Sequence, residues 1–287
     1  YTVPDYCKVD LLSIIIAFLA LYLRIIVFGN NIGFFSDEIC ILLNCFERNY
    51  LQMFLPLGYV QCMPPFYIII TKFLYSMFGL NEVILKMPTL ICAILNIFFF
   101  MLLTFKVLKN KFSIIFANLI FCFSIPLIMY CWILKQYQCD ALFTILILLL
   151  TVKIKDYTLG KKEFFILGLL SIFSILFSYT SAFIICSSVI TLAIYKYKQK
   201  LLNKELLKNF LFYLIPLAIA VLVYIKINCI PVLEDESLAL YWGKSAASSE
   251  NREFLFCPAN FARIKELFAY ILLGGEEVCR AVVSIIC

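Results

Sequence analysis

Residues 11–28 read LLSIIIAFLALYLRIIVF, an apolar run that nearly matches the thickness of a bilayer's hydrocarbon core when it is wound into a helix. About 20 such residues span a membrane. The run is too long for the apolar region of a secretory signal, and no small-residue cleavage site follows it. We therefore predict that it is retained as the first membrane anchor and that it decides the class of fold.

The composition of the chain agrees with a membrane protein. Of its 287 residues, 64% are hydrophobic and 15% are charged, and its mean hydropathy is +1.00. Soluble domains are about 45–50% apolar and about 25% charged, so the predicted fold class is an all-α integral membrane protein. The 13 cysteines are scattered, and those inside apolar runs are expected to behave as small hydrophobes.

Further apolar runs predict a polytopic helical bundle, a single domain over 1–287 with about eight spanning helices. The predicted spans are 11–29, 84–105, 112–132, 139–152, 164–178, 180–195, 210–229 and 267–287. The Ser-Tyr-Thr-Ser sequence at 178–181 predicts a tight turn between two of them. A shorter apolar segment, 66–78, follows Pro64-Pro65, and prolines of this kind open a helix.

Three lysine clusters, at 106–111, 153–162 and 196–208, orient the bundle. The positive-inside rule places all three on the cytoplasmic side. They agree with a cytoplasmic N-terminus only if 66–78 lies as a juxtamembrane or re-entrant helix on the outer side. We therefore predict a multi-pass protein of the plasma (inner) membrane, with larger outer loops at 30–83 and 230–266. The net charge of +6 reports this topology, and no nucleic-acid partner is predicted.

An adjacent acid pair, Asp37-Glu38, directly follows the first span. Acids are expensive at membrane depth and often functional there. Neighbouring helical residues point about 100° apart, so only one of the two can face a given cavity. A partly desolvated carboxylate suits a general base; the alternative is a solvated pair that caps the following helix. Histidine is absent, so imidazole can be neither the base nor a metal ligand.

Several other polar groups are predicted near the outer face, and each has a structural alternative. Lys86, before Met87-Pro88, could contact an anionic ligand or extend to lipid headgroups. Lys135 and Asp140 lie around a short outer turn, where they could face a ligand or pair with each other. Arg48 could neutralise an anion or be a surface residue. Gln61 supplies a polar group just before the proline pair.

The order of these motifs resembles the GT-C class of membrane glycosyltransferases, in particular bacterial relatives of the protein O-mannosyltransferase and aminoarabinose transferase group. The resemblance covers about residues 12–150. It rests on the Asp-Glu pair, PLGYVQCMPPF at 56–66, Lys-Met-Pro at 86–88 and Lys-Gln-Tyr-x-x-Asp at 135–140. It is weaker through 177–183 and fades after Tyr241-Trp242.

The resemblance implies transfer of a sugar, with inversion, from a polyprenyl-phosphate donor to a lipid, glycan or protein acceptor at the outer face. Asp37 matches the family's essential acid and would be the general base. Charge stabilisation of the phosphate leaving group would fall to Lys86, Lys135 and Arg48. The remaining substrate contacts would be Glu38, Gln61, Tyr137 and Asp140. Glu38 and Asp140 are also candidate oxygen ligands for a divalent metal ion.

The chain departs from the family in two places where relatives often carry an acid. Gly58 and Val60 stand in one, and Trp132-Ile133-Leu134 in the other. The chain is also shorter than is typical of the family, so we expect it to lack the family's C-terminal part. The alternatives are a non-catalytic relative that binds lipid-linked sugar, and a transporter or flippase. The latter would predict ionisable residues at mid-bilayer and inverted repeats.

Overall fold

The computed structural model of the protein describes residues 11–30, 33–156 and 161–199, together with positions 218, 221, 222 and 226. Over the three continuous ranges every regular element is helical. The chain is therefore a helical protein, as predicted. The predicted loop 230–266 and the predicted span 267–287 lie outside these residues, and the predicted span 210–229 lies almost entirely outside them.

Three helices are long and apolar enough to cross a membrane: α1 (Leu11–Asn30), α4 (Glu82–Val107) and the Tyr137–Ile154 part of α7 (Tyr137–Asp156). They support the prediction of a membrane-embedded helical protein. The other helices are α2 (Ser36–Glu47), a short 3-10 helix (Leu51–Phe54), α3 (Pro65–Phe78), α5 (Lys111–Cys122), α6 (Ile125–Met129), α8 (Lys161–Phe177) and α9 (Ser181–Lys198).

Two local predictions agree with the observed helix boundaries. Helix α3 begins at Pro65, with Pro64 at its N-cap. Its 14 residues reach about 21 Å, less than the roughly 30 Å of a hydrocarbon core. The turn predicted around 178–181 separates α8 from α9, where the Ser178 hydroxyl accepts the Ser181 N–H at 3.2 Å and the Ser181 hydroxyl donates to the Ser178 carbonyl at 2.7 Å.

The predicted span 112–132 is not one continuous helix. Helix α5 ends at Cys122, and α6 starts at Ile125 with Pro126 in its first turn. Proline is tolerated there because the first N–H groups of a helix have no helical partner, whereas inside a helix it would remove a hydrogen bond. Hydropathy does not register the break because the residues around Pro126 are apolar.

Buried Arg24 of α1 donates a hydrogen bond to a backbone carbonyl at the end of α5, where the chain leaves the helix. Its Nη1 donates to the Cys122 carbonyl at 3.0 Å and to the Ala20 carbonyl at 3.1 Å. Only 1% of Arg24 is exposed. The last carbonyls of a helix lack helical donors, so a cation at this position stabilises the end of α5.

Helix α4 is the central element, since it packs against α1, α3, α5 and α7. Buried polar contacts fix two of these interfaces. Asn96 donates to the side-chain oxygen of Gln138 in α7 at 2.9 Å, and Thr104 donates to the side-chain oxygen of Asn118 in α5 at 3.1 Å. Hydrogen bonds of this kind hold membrane helices in register.

The contact between Asn96 and Gln138 predicts a measurable coupling between α4 and α7. In a double-mutant cycle of Asn96→Ala and Gln138→Ala, unfolding of the solubilised protein in a denaturing detergent should give a coupling of about 0.5–2 kcal/mol. Asn96→Ala and Asn118→Ala belong to separate interfaces, so their effects should add. Additivity in the first pair would contradict the contact.

Candidate functional site

Buried Glu38 is the anchor of one end of the bundle, which we call the polar end and define by residues 33–38, 61, 82–86 and 130–140. No part of Glu38 is exposed. Its carboxylate accepts the backbone N–H of Phe35 at 2.9 Å and the backbone N–H of Leu134. It also lies 3.3 Å from Nζ of Lys86. One carboxylate therefore joins α2, α4 and the turn before α7.

Lys86 is enclosed by protein groups. It is 2% exposed, and besides Glu38 its Nζ contacts the Glu82 carboxylate at 2.8 Å and donates to the Gly33 carbonyl at 2.7 Å. The rings of Phe34 and Trp132 lie 5.2 and 5.0 Å from Nζ. Two carboxylates and two aromatic faces compensate the cost of burying this ammonium group.

Glu82 is a member of the polar end that sequence analysis missed. Both of its carboxylate oxygens lie 2.7 Å from the Gly33 backbone N–H. It thereby ties the segment that precedes Asp37 to the first turn of α4. The local signal was available, because Glu82 lies four residues before Lys86, the spacing of a helical ion pair. The contact with Gly33 has no local signal.

Asp37 lies next to Glu38 in α2 but on the solvent-facing side of that helix, and 62% of its side chain is exposed. Its carboxylate is 3.6 Å from Nζ of Lys135, whose side chain is 13% exposed. Lys135 also donates to the side-chain oxygen of Gln61 at 2.8 Å. We call these three residues the open group. It brings together an acid, a cation and a neutral amide from three segments that are distant in sequence.

A constrained loop between α2 and α3 carries Gln61 into the open group. The Asn44 amide accepts the Gly58 N–H at 2.8 Å and donates to the Gly58 carbonyl at 3.1 Å. Tyr59 and Val60 have φ angles of 60° and 59°. Non-glycine residues there cost about 1–3 kcal/mol each, and a β-branched residue such as valine is especially unfavourable. Strain of this kind is typical of functional loops.

Two further contacts secure this loop. Arg48, a predicted substrate contact, donates to the Pro56 carbonyl at 2.6 Å. The exposed Tyr59 hydroxyl donates to the Glu47 carboxylate, and this hydrogen bond raises the pKa of Tyr59. The phenol therefore stays protonated at neutral pH and keeps its role as a donor.

Asp140 and Tyr137 lie in the first turn of α7, the helix that begins two residues after Lys135 of the open group. The Asp140 carboxylate contacts the hydroxyls of Ser178 and Thr180, while its Oδ1 is buried without a hydrogen-bond partner. Lys135 contacts Asp37 and Gln61 instead of Asp140, which answers the pairing question that the sequence left open. The Tyr137 ring packs against Tyr130 at 4.5 Å.

The predicted metal ligands Glu38 and Asp140 belong to separate hydrogen-bonding groups. The Glu38 oxygens face the Lys86 ammonium and two backbone N–H donors. Because these groups already satisfy the carboxylate, it is poorly placed to bind a metal cation. Among the residues that the structure describes, no three His, Cys, Asp or Glu side chains are grouped to hold a metal ion.

Two buried thiols, those of Cys45 and Cys131, are poorly suited to nucleophilic chemistry. Burial raises the pKa of the Cys45 thiol to about 12, and burial likewise raises the pKa of the Cys131 thiol to about 12. Both stay protonated at neutral pH, and the thiolate is the reactive form. The exposed carboxylate of Asp37 is the better candidate for proton transfer.

No protein-family model, curated protein or solved structure matches this chain. The resemblance to membrane glycosyltransferases therefore rests on the sequence motifs alone.

The adjacent acids should respond differently to truncation. Glu38→Ala leaves Lys86 buried with one carboxylate fewer and two backbone donors unpaired, which should cost about 3–5 kcal/mol of stability. Asp37→Ala removes an exposed ion pair worth about 0–1 kcal/mol. Thermal unfolding of the solubilised variants measures both. Equal destabilisation would contradict the assignment of buried and exposed roles.

Proposed function

We propose that this protein is a glycosyltransferase that moves a sugar from a polyprenyl-phosphate donor to a lipid, glycan or protein acceptor at the outer face of the plasma membrane. The proposal rests above all on the open group, in which an exposed carboxylate, Asp37, lies beside a cation, Lys135, at one end of a membrane bundle. A lipid-linked donor suits this position, because its tail can stay in the bilayer while its headgroup reaches the polar end.

Asp37 is the general base in this mechanism. Its carboxylate accepts the proton of the acceptor hydroxyl, and the hydroxyl oxygen attacks the anomeric carbon of the sugar. The bond from that carbon to the donor's phosphate oxygen breaks on the opposite side, which inverts the configuration. The electron pair leaves with polyprenyl phosphate. The leaving group is already an anion, so it needs electrostatic stabilisation rather than a proton.

Lys135 is the cation best placed to supply that stabilisation, because part of its side chain is exposed. In the structure it pairs with Asp37. Binding of the donor phosphate would draw Lys135 toward the phosphate and leave Asp37 free to accept a proton. Gln61 would orient Lys135 during this exchange. The donor would then bind before the acceptor is activated.

The other predicted substrate contacts take supporting roles. Lys86 and Glu38 hold the polar end together, and a direct contact between Lys86 and substrate stays a prediction. Arg48 positions the loop that carries Gln61. A contact between Asp140 and substrate stays a prediction, because its unpaired Oδ1 is buried, whereas the exposed ring of Tyr137 suits a sugar face.

The proposed position of the polar end on the outer side of the membrane rests on the distribution of lysines. Lys106, Lys109 and Lys111 lie around the junction of α4 and α5, at the end of α4 opposite to Lys86. The positive-inside rule assigns that end to the cytoplasm, which leaves Asp37 on the outer side.

A binding-only protein is the second candidate function. It is favoured by the neutral residues at Gly58, Val60 and 132–134, where the resembling family often has acids. A transporter is less well supported. Its expected intramembrane ionisable group would be Arg24, but Arg24 donates to two backbone carbonyls that hold α1 and α5 in place.

Loss of the base should abolish transfer. Membranes that contain the protein are incubated with a radiolabelled polyprenyl-phosphate hexose, and label is followed into lipid, glycan and protein fractions. Asp37→Asn should lower the rate by about 10²–10⁴-fold, the usual contribution of a general base. The control variant is Asp156→Asn, at the end of α7 away from the polar end, and it should leave the rate unchanged.

Undiminished transfer by Asp37→Asn would rule out this base. Retention of the donor without turnover by both the unmodified protein and the variant would favour the binding-only function.

The orientation can be tested with a natural cysteine. Cys62 is exposed and lies next to Gln61. In intact cells a membrane-impermeant maleimide should label the tryptic peptide 49–72, whose single cysteine is Cys62, and Cys62→Ser should remove the label from that peptide. Labelling that appears only after the membrane is permeabilised would place the polar end in the cytoplasm.

A further inference from the structure

Two cysteines face each other across the interface between α4 and α7. The Sγ atoms of Cys92 and Cys139 are 3.4 Å apart. Cys139 is 4% exposed, whereas Cys92 is half-buried. Neither thiol has a part in the proposed transfer reaction, so their contact calls for a separate explanation.

The packing around these sulfurs favours bond formation. A disulfide has an S–S distance of about 2.05 Å, so the sulfurs need to approach by about 1.4 Å, a distance that small side-chain rotations can supply. The Asn96 hydrogen bonds to Gln138, at 2.9 Å to its side chain and 3.0 Å to its backbone, hold the two helices in register beside the thiols.

Other buried cysteines are arranged differently. The Cys131 thiol donates to the Arg24 carbonyl at 3.5 Å. Cys45 packs in the same apolar cluster as Cys92 and Cys139 but without a thiol contact of this kind, and Cys122 packs in a separate cluster. Among the residues that the structure describes, the thiols of Cys92 and Cys139 are the pair recorded in direct contact. A general tendency to bury cysteine as a small hydrophobe explains the single thiols but does not require this contact.

We propose that Cys92 and Cys139 are an oxidisable pair that forms an intramolecular disulfide by exchange with a low-molecular-weight disulfide. The more accessible Cys92, as its thiolate, attacks one sulfur of the oxidant, whose S–S bond breaks and releases one thiol. Cys139 then attacks the Cys92 sulfur of the mixed disulfide and releases the second thiol. The two departing thiolates take up the protons of the two cysteines, and two electrons pass from the protein to the oxidant.

The disulfide would be a covalent tie between the two helices that support the polar end. Helix α4 carries Glu82 and Lys86, and the first turn of α7 carries Tyr137 and Asp140. Oxidation would fix their relative positions, and reduction would release them. This inference is independent of the proposed transfer reaction and needs no assay of activity.

Tryptic peptides identify the bond without ambiguity. Cleavage after lysine gives peptide 87–106, whose single cysteine is Cys92, and peptide 136–153, whose single cysteine is Cys139. The full chain is solubilised in detergent, treated with dipyridyl disulfide, alkylated with a maleimide, digested and examined by mass spectrometry. Exposed Cys62 reports in the same sample that the oxidant has reacted.

We expect the alkylated forms of both peptides to be lost and one species containing both peptides to appear, with dithiothreitol restoring the separate peptides. In Cys92→Ser the linked species should be absent, because Cys139 has lost its partner. In Cys131→Ser the linked species should be unchanged. If Cys62 reacts while Cys92 and Cys139 stay free, or if they carry only separate adducts of the oxidant, the proposal is overturned.

Discussion

The ion pair between Glu38 and Lys86 is the interaction on which the polar end depends. Both side chains are buried, and their charged atoms are 3.3 Å apart. Charges removed from water are costly unless their other hydrogen-bonding positions are filled. Here backbone donors fill those of Glu38, and Glu82 with the Gly33 carbonyl fills those of Lys86. The pair thereby joins α2, the start of α4 and the turn before α7.

The burial of Glu38 determines how Asp37 is presented. Neighbouring helical side chains diverge by about 100°, so fixing Glu38 inward leaves Asp37 facing outward toward Lys135. The sequence predicted that only one of these acids would face a cavity, and the family resemblance selected Asp37. Neither signal predicted the partners, because these meet only through tertiary contacts: Leu134 with Glu38, Gly33 with Glu82 and Lys86, and Gln61 with Lys135. Of the missed residues, only Glu82 had a local signal, its helical spacing to Lys86.

The same division between local and distant information holds for the fold. The start of α3 at Pro65 and the turn after Phe177 were predictable, because proline and serine act on the backbone next to them. The end of α5 was not, because Pro126 is surrounded by apolar residues and hydropathy averages over the break. Arg24 was equally hidden. The carbonyl that accepts its hydrogen bond belongs to Cys122, which is 98 residues away.

Binding of polyprenyl phosphate to purified variants tests most directly the central claim that Asp37 and a donor phosphate compete for Lys135. The account predicts that Asp37→Asn binds polyprenyl phosphate at least as tightly as the unmodified protein, because Lys135 is released from its partner. It predicts that Lys135→Gln binds more weakly by about 10-fold or more, since a charged hydrogen bond is worth about 1.5–3 kcal/mol. Weaker binding by Asp37→Asn, together with unchanged binding by Lys135→Gln, would contradict it.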